Sequence, residues 1–311
     1  MPKAPAAPAR APGGIAPRED RHLLAIGLMV LAFLGFSGID TCAKWLVLDG
    51  MATPEVVFMR YAVHLVLVVA IALPAGERLL GTSNLGAVCL RGLLLLASTV
   101  LNFWALGYLP LTMTSALMFT GPLWICMLSI PLLGERVGPR RWAAILVGFV
   151  GVLVVTRPWS GHVHWAVALS LCAALSSALY AIITRRLAGR DSTATQQFYA
   201  GLVATIGMAP LALADWSWPT HAASWLAFFA IGGFGWASHQ VMIIAHRYAP
   251  ASTLAPFAYT QILWMAASSW LIFAQPPDGW VLVGAGIVVA SGLYIWLRES
   301  TLAADPARRG L

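Results

Sequence analysis

The feature that most constrains this chain is a series of ten apolar stretches, at about 23–46, 55–76, 86–107, 111–133, 141–156, 165–185, 194–214, 222–245, 251–274 and 280–297. A bilayer core about 30 Å thick is crossed by a helix of roughly 17–25 apolar residues. Lipid offers no partner to backbone N–H and C=O groups, so each stretch must close its own hydrogen bonds as a helix. Composition leaves room for little else. Hydrophobic residues make up 59% and charged residues 10%, against roughly 45–50% and 25% in a soluble domain. The expected fold class is an all-α integral membrane protein with ten transmembrane helices. Short loops carry the punctuation of helix ends: Thr53-Pro54 opens the second span, Tyr108-Leu109-Pro110 separates the third and fourth, and Tyr248-Ala249-Pro250 the eighth and ninth.

A net charge of +7 would suggest nucleic acid in a soluble protein. Here its distribution indicates membrane orientation, and no nucleic-acid partner is expected. With the N-terminus in the cytoplasm, 16 of the 19 Lys and Arg residues fall on the inner side, and only Lys44, Arg60 and Arg157 on the outer. That excess satisfies the positive-inside rule. The expected location is the cytoplasmic (inner) membrane, with both termini cytoplasmic. Residues 1–21 are Pro/Ala/Gly-rich and read as a disordered cytoplasmic tail without the marks of a signal peptide. Residues 299–311 read as a second tail. Cys42, Cys89, Cys126 and Cys172 lie in or beside apolar segments without a CxxC pair, so they read as packing residues. His162-x-His164 is too little for a metal site, and neither a metal nor a cofactor is expected.

The chain also contains the same segment twice. Ala105–Ser129 matches Ala245–Ser269 at a spacing of 140 residues, carrying Thr120 onto Thr260, Leu123 onto Leu263 and Trp124 onto Trp264. Phe58 falls on Phe198 in the same frame, and Asp40, with one residue of slippage, on Ala181. The two units are 22–157 and 164–298. Five spans per unit is an odd number, so the second enters the membrane from the opposite side. Two inverted five-helix repeats around a central cavity are a transporter architecture, with substrate bound near the midplane.

The residues LeuArgGlyLeuLeu (90–94), TyrLeuProLeuThr (108–112), LeuLeuGlyGluArgValGly (132–138) and ValGlyPheValGlyValLeuVal (147–154) resemble the EamA branch of the drug/metabolite transporter superfamily. So do AlaProPheAlaTyrThrGln (255–261) and SerGlyLeuTyrIle (291–295) in the second half. The resemblance runs from about residue 25 to 298. It implies ten helices in two inverted repeats and movement of a small organic molecule, such as an amino acid, a flavin, an S-adenosylmethionine-like compound, a metallophore or a cationic or aromatic drug. Export is the direction it implies. The Gly-Glu pair that follows the ninth helix in that family reads Ala274-Gln275 here, whereas the first copy keeps Gly134-Glu135.

Candidate site residues follow from cost and from duplication. Asp40 is the one carboxylate well inside an apolar span, where insertion costs about 2.5–3.5 kcal/mol. Lys44 lies one turn further along the same face, and Arg60 lies at similar depth in the next helix. The three suggest either a gate or a structural ion pair that keeps Asp40 ionised. Thr120 with Trp124, and Thr260 with Trp264, are i and i+4 pairs that the pseudo-axis would bring together at the midplane. They could wall a cavity by stacking or cation–π contact, or bond and pack within their own helices. Tyr259 and Gln261 flank the second pair. His239, beside Gln240, is a substrate contact or a satisfied interhelical donor, and His64 is a second titratable group. Pro122 and Pro256 remove helical hydrogen bonds inside their spans and invite kinks.

The rival classes are an intramembrane enzyme and a channel-like facilitator. No HExxH, Gly-x-Ser-x-Gly elbow, P-loop or second intramembrane aspartate is present. A selectivity filter would need rings of carbonyls or charges. The expected function is secondary transport of a small organic molecule by alternating access, not catalysis. Gly148-x-x-Gly151 and Gly284-x-Gly286 give the fifth and tenth helices small faces, suited to packing within the fold or to a homodimer.

Overall fold

A computed structural model describes residues 22–133, 139–157, 159, 163–187, 190–248 and 254–304. His162, Gly134-Glu135 and the 1–21 tail lie outside them. The helices are α1 (His22–Leu48), α2 (Thr53–Ala72), α3 (Leu85–Leu106), α4 (Leu111–Met118), α5 (Gly121–Leu133), α6 (Pro139–Thr156), α7 (Ala166–Leu187), α8 (Thr193–Ala214), α9 (Ala222–Tyr248), a 3-10 segment (Ala255–Thr260), α10 (Gln261–Leu271) and α11 (Gly279–Ala304). Among the described residues, seven helices are long and apolar enough to cross a membrane, and the 111–125 stretch and Trp142–Thr156 are shorter apolar helical segments. Each of the ten expected spans has its helical segment. The last helix runs on to Ala304, past the expected boundary at 298.

Local chemistry sets the helix starts. Asn84 accepts the Ala87 N–H at 3.0 Å to open α3, and Ser192 accepts the Thr195 N–H at 3.1 Å to open α8. α2 has Pro54 in its first turn, and Glu55 reaches back to accept the Ala52 N–H at 3.1 Å.

The fourth and ninth spans are each broken in two, and the breaks fall at the duplicated threonines. The Thr120 hydroxyl donates to the Leu117 carbonyl at 2.7 Å, and the Thr260 hydroxyl to the Phe257 carbonyl at 2.7 Å. Both bonds go three residues back and offer the carbonyl an alternative to the helical N–H. Pro122, just after the first break, also has no N–H to give Met118.

Packing follows the pseudo-twofold relation. α1 lies along α9, and the equivalent pair, α7 and α3, packs likewise. α2 on α8, α6 on α11 and α4 on α10 each join a helix to its own repeat counterpart. The repeats are therefore interlocked, and neither buries its apolar faces alone. At the α6–α11 crossing, a Cβ on Gly151 would lie 2.9 Å from the Gly284 carbonyl oxygen, and one on Gly284 2.7 Å from that of Gly151. The Gly148 position is filled by Leu123, while Gly286 faces open space. Three of those four glycines thus serve contacts within the chain.

The start of α1 packs against the end of α9 through Ala25, Met29 and Ala245. This end is called the lower one and the opposite end the upper.

Candidate functional site

A cavity of about 750 Å³ occupies the lower half of the molecule between α2, α3, α7, α8 and α9. Its polar lining is dominated by two arginines, two tyrosines and three histidines: Arg60, Arg91, Tyr61, Tyr180, His64, His239 and His246. No carboxylate is among the described residues that line it. Arg91, buried in α3, is held on three sides. Its Nε donates to Thr184 Oγ1 at 2.8 Å, Nη1 to the Gln196 carbonyl at 2.9 Å and Nη2 to the Tyr180 hydroxyl at 2.6 Å. A guanidinium carries five N–H groups, so donors remain for a guest. Arg60 donates from Nη1 to Thr99 and, at 3.4 Å, to the Tyr61 hydroxyl, and its guanidinium stands 4.8 Å from the Tyr61 ring centroid. The Tyr61 and Thr99 hydroxyls share a hydrogen bond of 2.7 Å. His239 meets Phe36 edge-on at 5.0 Å and His64 at 6.4 Å. A lining with this much positive charge and aromatic surface suits an acceptor-rich or anionic planar group.

A second, smaller pocket of about 210 Å³ lies among α1, α3, α4, α7 and α10. Its titratable group is an acid, where those of the larger cavity are bases and phenols. Asp40 lines it with Asn102, Ser115, Ser177, Phe119 and Gln261, and Asn102 Nδ2 donates to Asp40 Oδ1 at 2.9 Å.

The expected candidates divide between these spaces and the packing around them. Arg60 and His239 line the larger cavity, and Asp40 and Gln261 the smaller. Thr120, Trp124, Tyr259, Thr260 and Trp264 line neither. The Tyr259 ring packs 5.3 Å from that of Phe119, its counterpart in the repeat frame. The duplicated segments therefore do meet on the pseudo-axis, but one residue away from the threonines. Trp124 packs edge-on against Phe149 at 5.6 Å. Both indole N–H groups, Trp124 Nε1 and Trp264 Nε1, are buried without a hydrogen-bond partner.

Of the two readings left open for Asp40, Lys44 and Arg60, a gate or a structural ion pair, the direct Asp40–Lys44 contact that the second would need is not formed among the described residues. Lys44 Nζ donates instead to the Leu109 carbonyl at 2.7 Å and stands 5.4 Å from the Phe273 ring centroid. Leu109 lies between two helices, where its carbonyl is free to take a side-chain donor. Arg60 turns to Thr99 and Tyr61 and acts on Asp40 only through space.

Sequence reasoning missed Arg91 and Tyr180. Arg91 counts there as one more inner-side charge. Its available signal is its place one turn inside an apolar span, too deep for an ordinary loop cation.

The upper end is closed by bonds between repeats. The Glu55 carboxylate accepts from Ser217 N at 2.6 Å and Ser217 Oγ at 2.9 Å. Trp45 Nε1 donates to Ser224 Oγ at 3.1 Å, which donates to Asp49 Oδ2 at 2.7 Å. Arg157 pairs with Asp278 at 2.5 Å.

A profile of the EamA-like transporter family matches residues 23–157 and 164–297, one copy on each repeat. The chain belongs to the EamA-like transporter family. It is 30% identical over 270 residues to a riboflavin transporter of Vibrio cholerae, covering 86% of this chain and 91% of that protein. It is 27% identical over 278 residues to an S-adenosylmethionine uptake transporter of Rickettsia bellii, covering 89% and 94%. A pseudopaline exporter of Pseudomonas aeruginosa is 27% identical over 268 residues, covering 85% and 93%. A solved crystal structure, 20% identical, shares the fold with a TM-score of 0.59, covering 86% of this chain and 97% of that one. This EamA-like protein is thus a multi-pass membrane transporter of a small molecule, built from two inverted five-helix repeats, and not an enzyme.

Proposed function

We propose that this transporter carries a flavin or a similarly acceptor-rich planar metabolite, bound in the larger cavity and moved by alternating access. The observation that carries the reading is the lining: Arg60 and Arg91 beside Tyr61 and Tyr180, with no carboxylate among the described lining residues. A flat heteroaromatic ring with carbonyl acceptors finds charged donors and aromatic faces there. An onium compound would meet two like charges. A volume of about 750 Å³ falls within the roughly 300–1,000 Å³ usual for small-molecule sites. The relatives named as riboflavin transporters support the same class.

In this reading the lower end is cytoplasmic, following the Lys and Arg count, and both termini lie in the cytoplasm. The protein then stands open inward, with the Glu55, Asp49 and Arg157 contacts as its outer closure. Tilting of the interlocked helix pairs about the pseudo-twofold axis would break those contacts and close the lower end. Net direction would follow the substrate's gradients; the named relatives include both an uptake transporter and an exporter.

Binding tests the substrate class. Purified protein titrated into riboflavin should quench its fluorescence saturably, with S-adenosylmethionine a poor competitor. Saturable binding of S-adenosylmethionine with no response to riboflavin would overturn the assignment.

A further inference from the structure

The smaller pocket has a chemistry that flavin binding does not use. Asp40 lies there beside Asn102, while Lys44 is committed to the Leu109 carbonyl and Arg60 to Thr99 and Tyr61. Two neutral oxygens in the same pocket are unpaired. Asn102 is 8% and Ser115 4% exposed, and neither Asn102 Oδ1 nor Ser115 Oγ has a hydrogen-bond partner. An amide oxygen only accepts. A protonated Asp40 could donate back to Asn102 Oδ1 but would leave Ser115 Oγ without a partner, whereas a cation held in the pocket can draw on carboxylate, amide and hydroxyl oxygens together.

The backbone supports the same ligand. Phe119, at the break between α4 and α5, and Gln261, at the break before α10, both line the pocket. Discontinuous spans expose backbone carbonyls, and carriers coordinate monovalent cations with such groups.

We propose that this pocket is a Na⁺ site built on Asp40, Asn102 and Ser115. The side-chain donors are all oxygen with a single carboxylate, a set suited to a hard ion of low charge. Among the described residues no group of three His, Cys, Asp or Glu side chains could hold a metal ion, which disfavours a transition metal. At about 30 Å³ per water, a pocket of about 210 Å³ lets the ion keep part of its hydration shell. Arg60 lines the larger cavity and also acts on Asp40 through space. The Arg60 cation would oppose an ion beside Asp40, so a substrate that draws the guanidinium towards itself and the ion would affect each other's binding reciprocally. That consequence rests on the flavin reading; the ion site does not.

The test is thermal unfolding of the full chain in detergent, without substrate, in NaCl, KCl or choline chloride at equal ionic strength. Na⁺ should raise the Tm saturably and choline should not. Asp40→Asn should abolish the response. Ser115→Ala, a milder change that keeps the pocket's charge, should shift the half-maximal Na⁺ concentration about tenfold upward. Equal Tm values in the three salts, as a pocket filled by water alone would give, overturn the proposal. So does a Na⁺ response that both variants retain, and an equal response to K⁺ overturns the sodium assignment. Because no flavin is present, none of these results bears on the substrate class.

Discussion

Two cavities of this transporter sit on one duplicated scaffold, one lined by arginines and the other by an aspartate. The larger lies mostly among α2, α3, α8 and α9, which are two pairs of repeat counterparts, and the smaller mostly among α1, α7, α4 and α10, which are two more. Duplication therefore supplied the walls of both. Polarity came from residues that were not duplicated. Asp40 in the smaller pocket corresponds to Ala181, which lines the larger, and Arg60 in the larger corresponds to Ala200, on the same lining. The difference teaches that in this chain the positions that differ between the repeats, more than the internally matched pairs, set the polarity of the two cavities.

That contrast can be broken or sharpened by substitution. The largest effect is expected from Arg91→Ala. It removes a charged donor held by Thr184, Tyr180 and the Gln196 carbonyl, and hydrogen bonds to charged groups are worth about 1.5–3 kcal/mol. Riboflavin affinity, read by fluorescence titration, should fall roughly 10- to 100-fold. Ala181→Asp would write the acid of the smaller pocket into the larger one. Pairing of the new carboxylate with the cavity's arginines should weaken riboflavin about tenfold and improve competition by S-adenosylmethionine. Trp124→Phe and Trp264→Phe should change riboflavin affinity less than about twofold. Neither indole lines either of these two cavities, the N–H that each loses has no partner, and the smaller ring loosens packing away from both linings.

The smallest effect belongs to a loop at the lower end. The Asp191 carboxylate is raised somewhat by its slight burial, but acceptance from Thr82 Oγ1 at 2.6 Å and Ser83 N at 2.7 Å holds it net below the usual range. A depressed folded-state value stabilises above the unfolded value of 3.8, and that stability is lost as pH falls through the folded value. Asp191→Asn should therefore lower the Tm at pH 7 by no more than about 1 °C, and the gap from wild type should close in strong acid.

Much of the fold was legible because a bilayer imposes one rule on every span. Length and hydropathy located the helical segments, and the odd span count implied inversion. The breaks at Thr120 and Thr260 were hidden, because a break resets helical phase. The i and i+4 relation that put Thr120 with Trp124 on one face assumed a continuous helix, whereas Trp124 belongs to α5, below the break. Asp40 could be singled out by its cost alone, but its neighbour Asn102 comes from α3, a tertiary fact that spacing along α1 does not contain. Lys44 shows the same limit: a carbonyl 65 residues away outcompetes the carboxylate one turn back. Arg91 was visible but counted only for its charge.

The central claim is that the larger cavity is the substrate site and opens at one end. In a variant whose four native cysteines are replaced by alanine, Ala181→Cys places a thiol in the cavity wall. In sealed, oriented vesicles a membrane-impermeant maleimide should label it from the cytoplasmic face, and riboflavin should slow the labelling. Labelling from the opposite face alone, or labelling that saturating riboflavin leaves unchanged, would contradict the account.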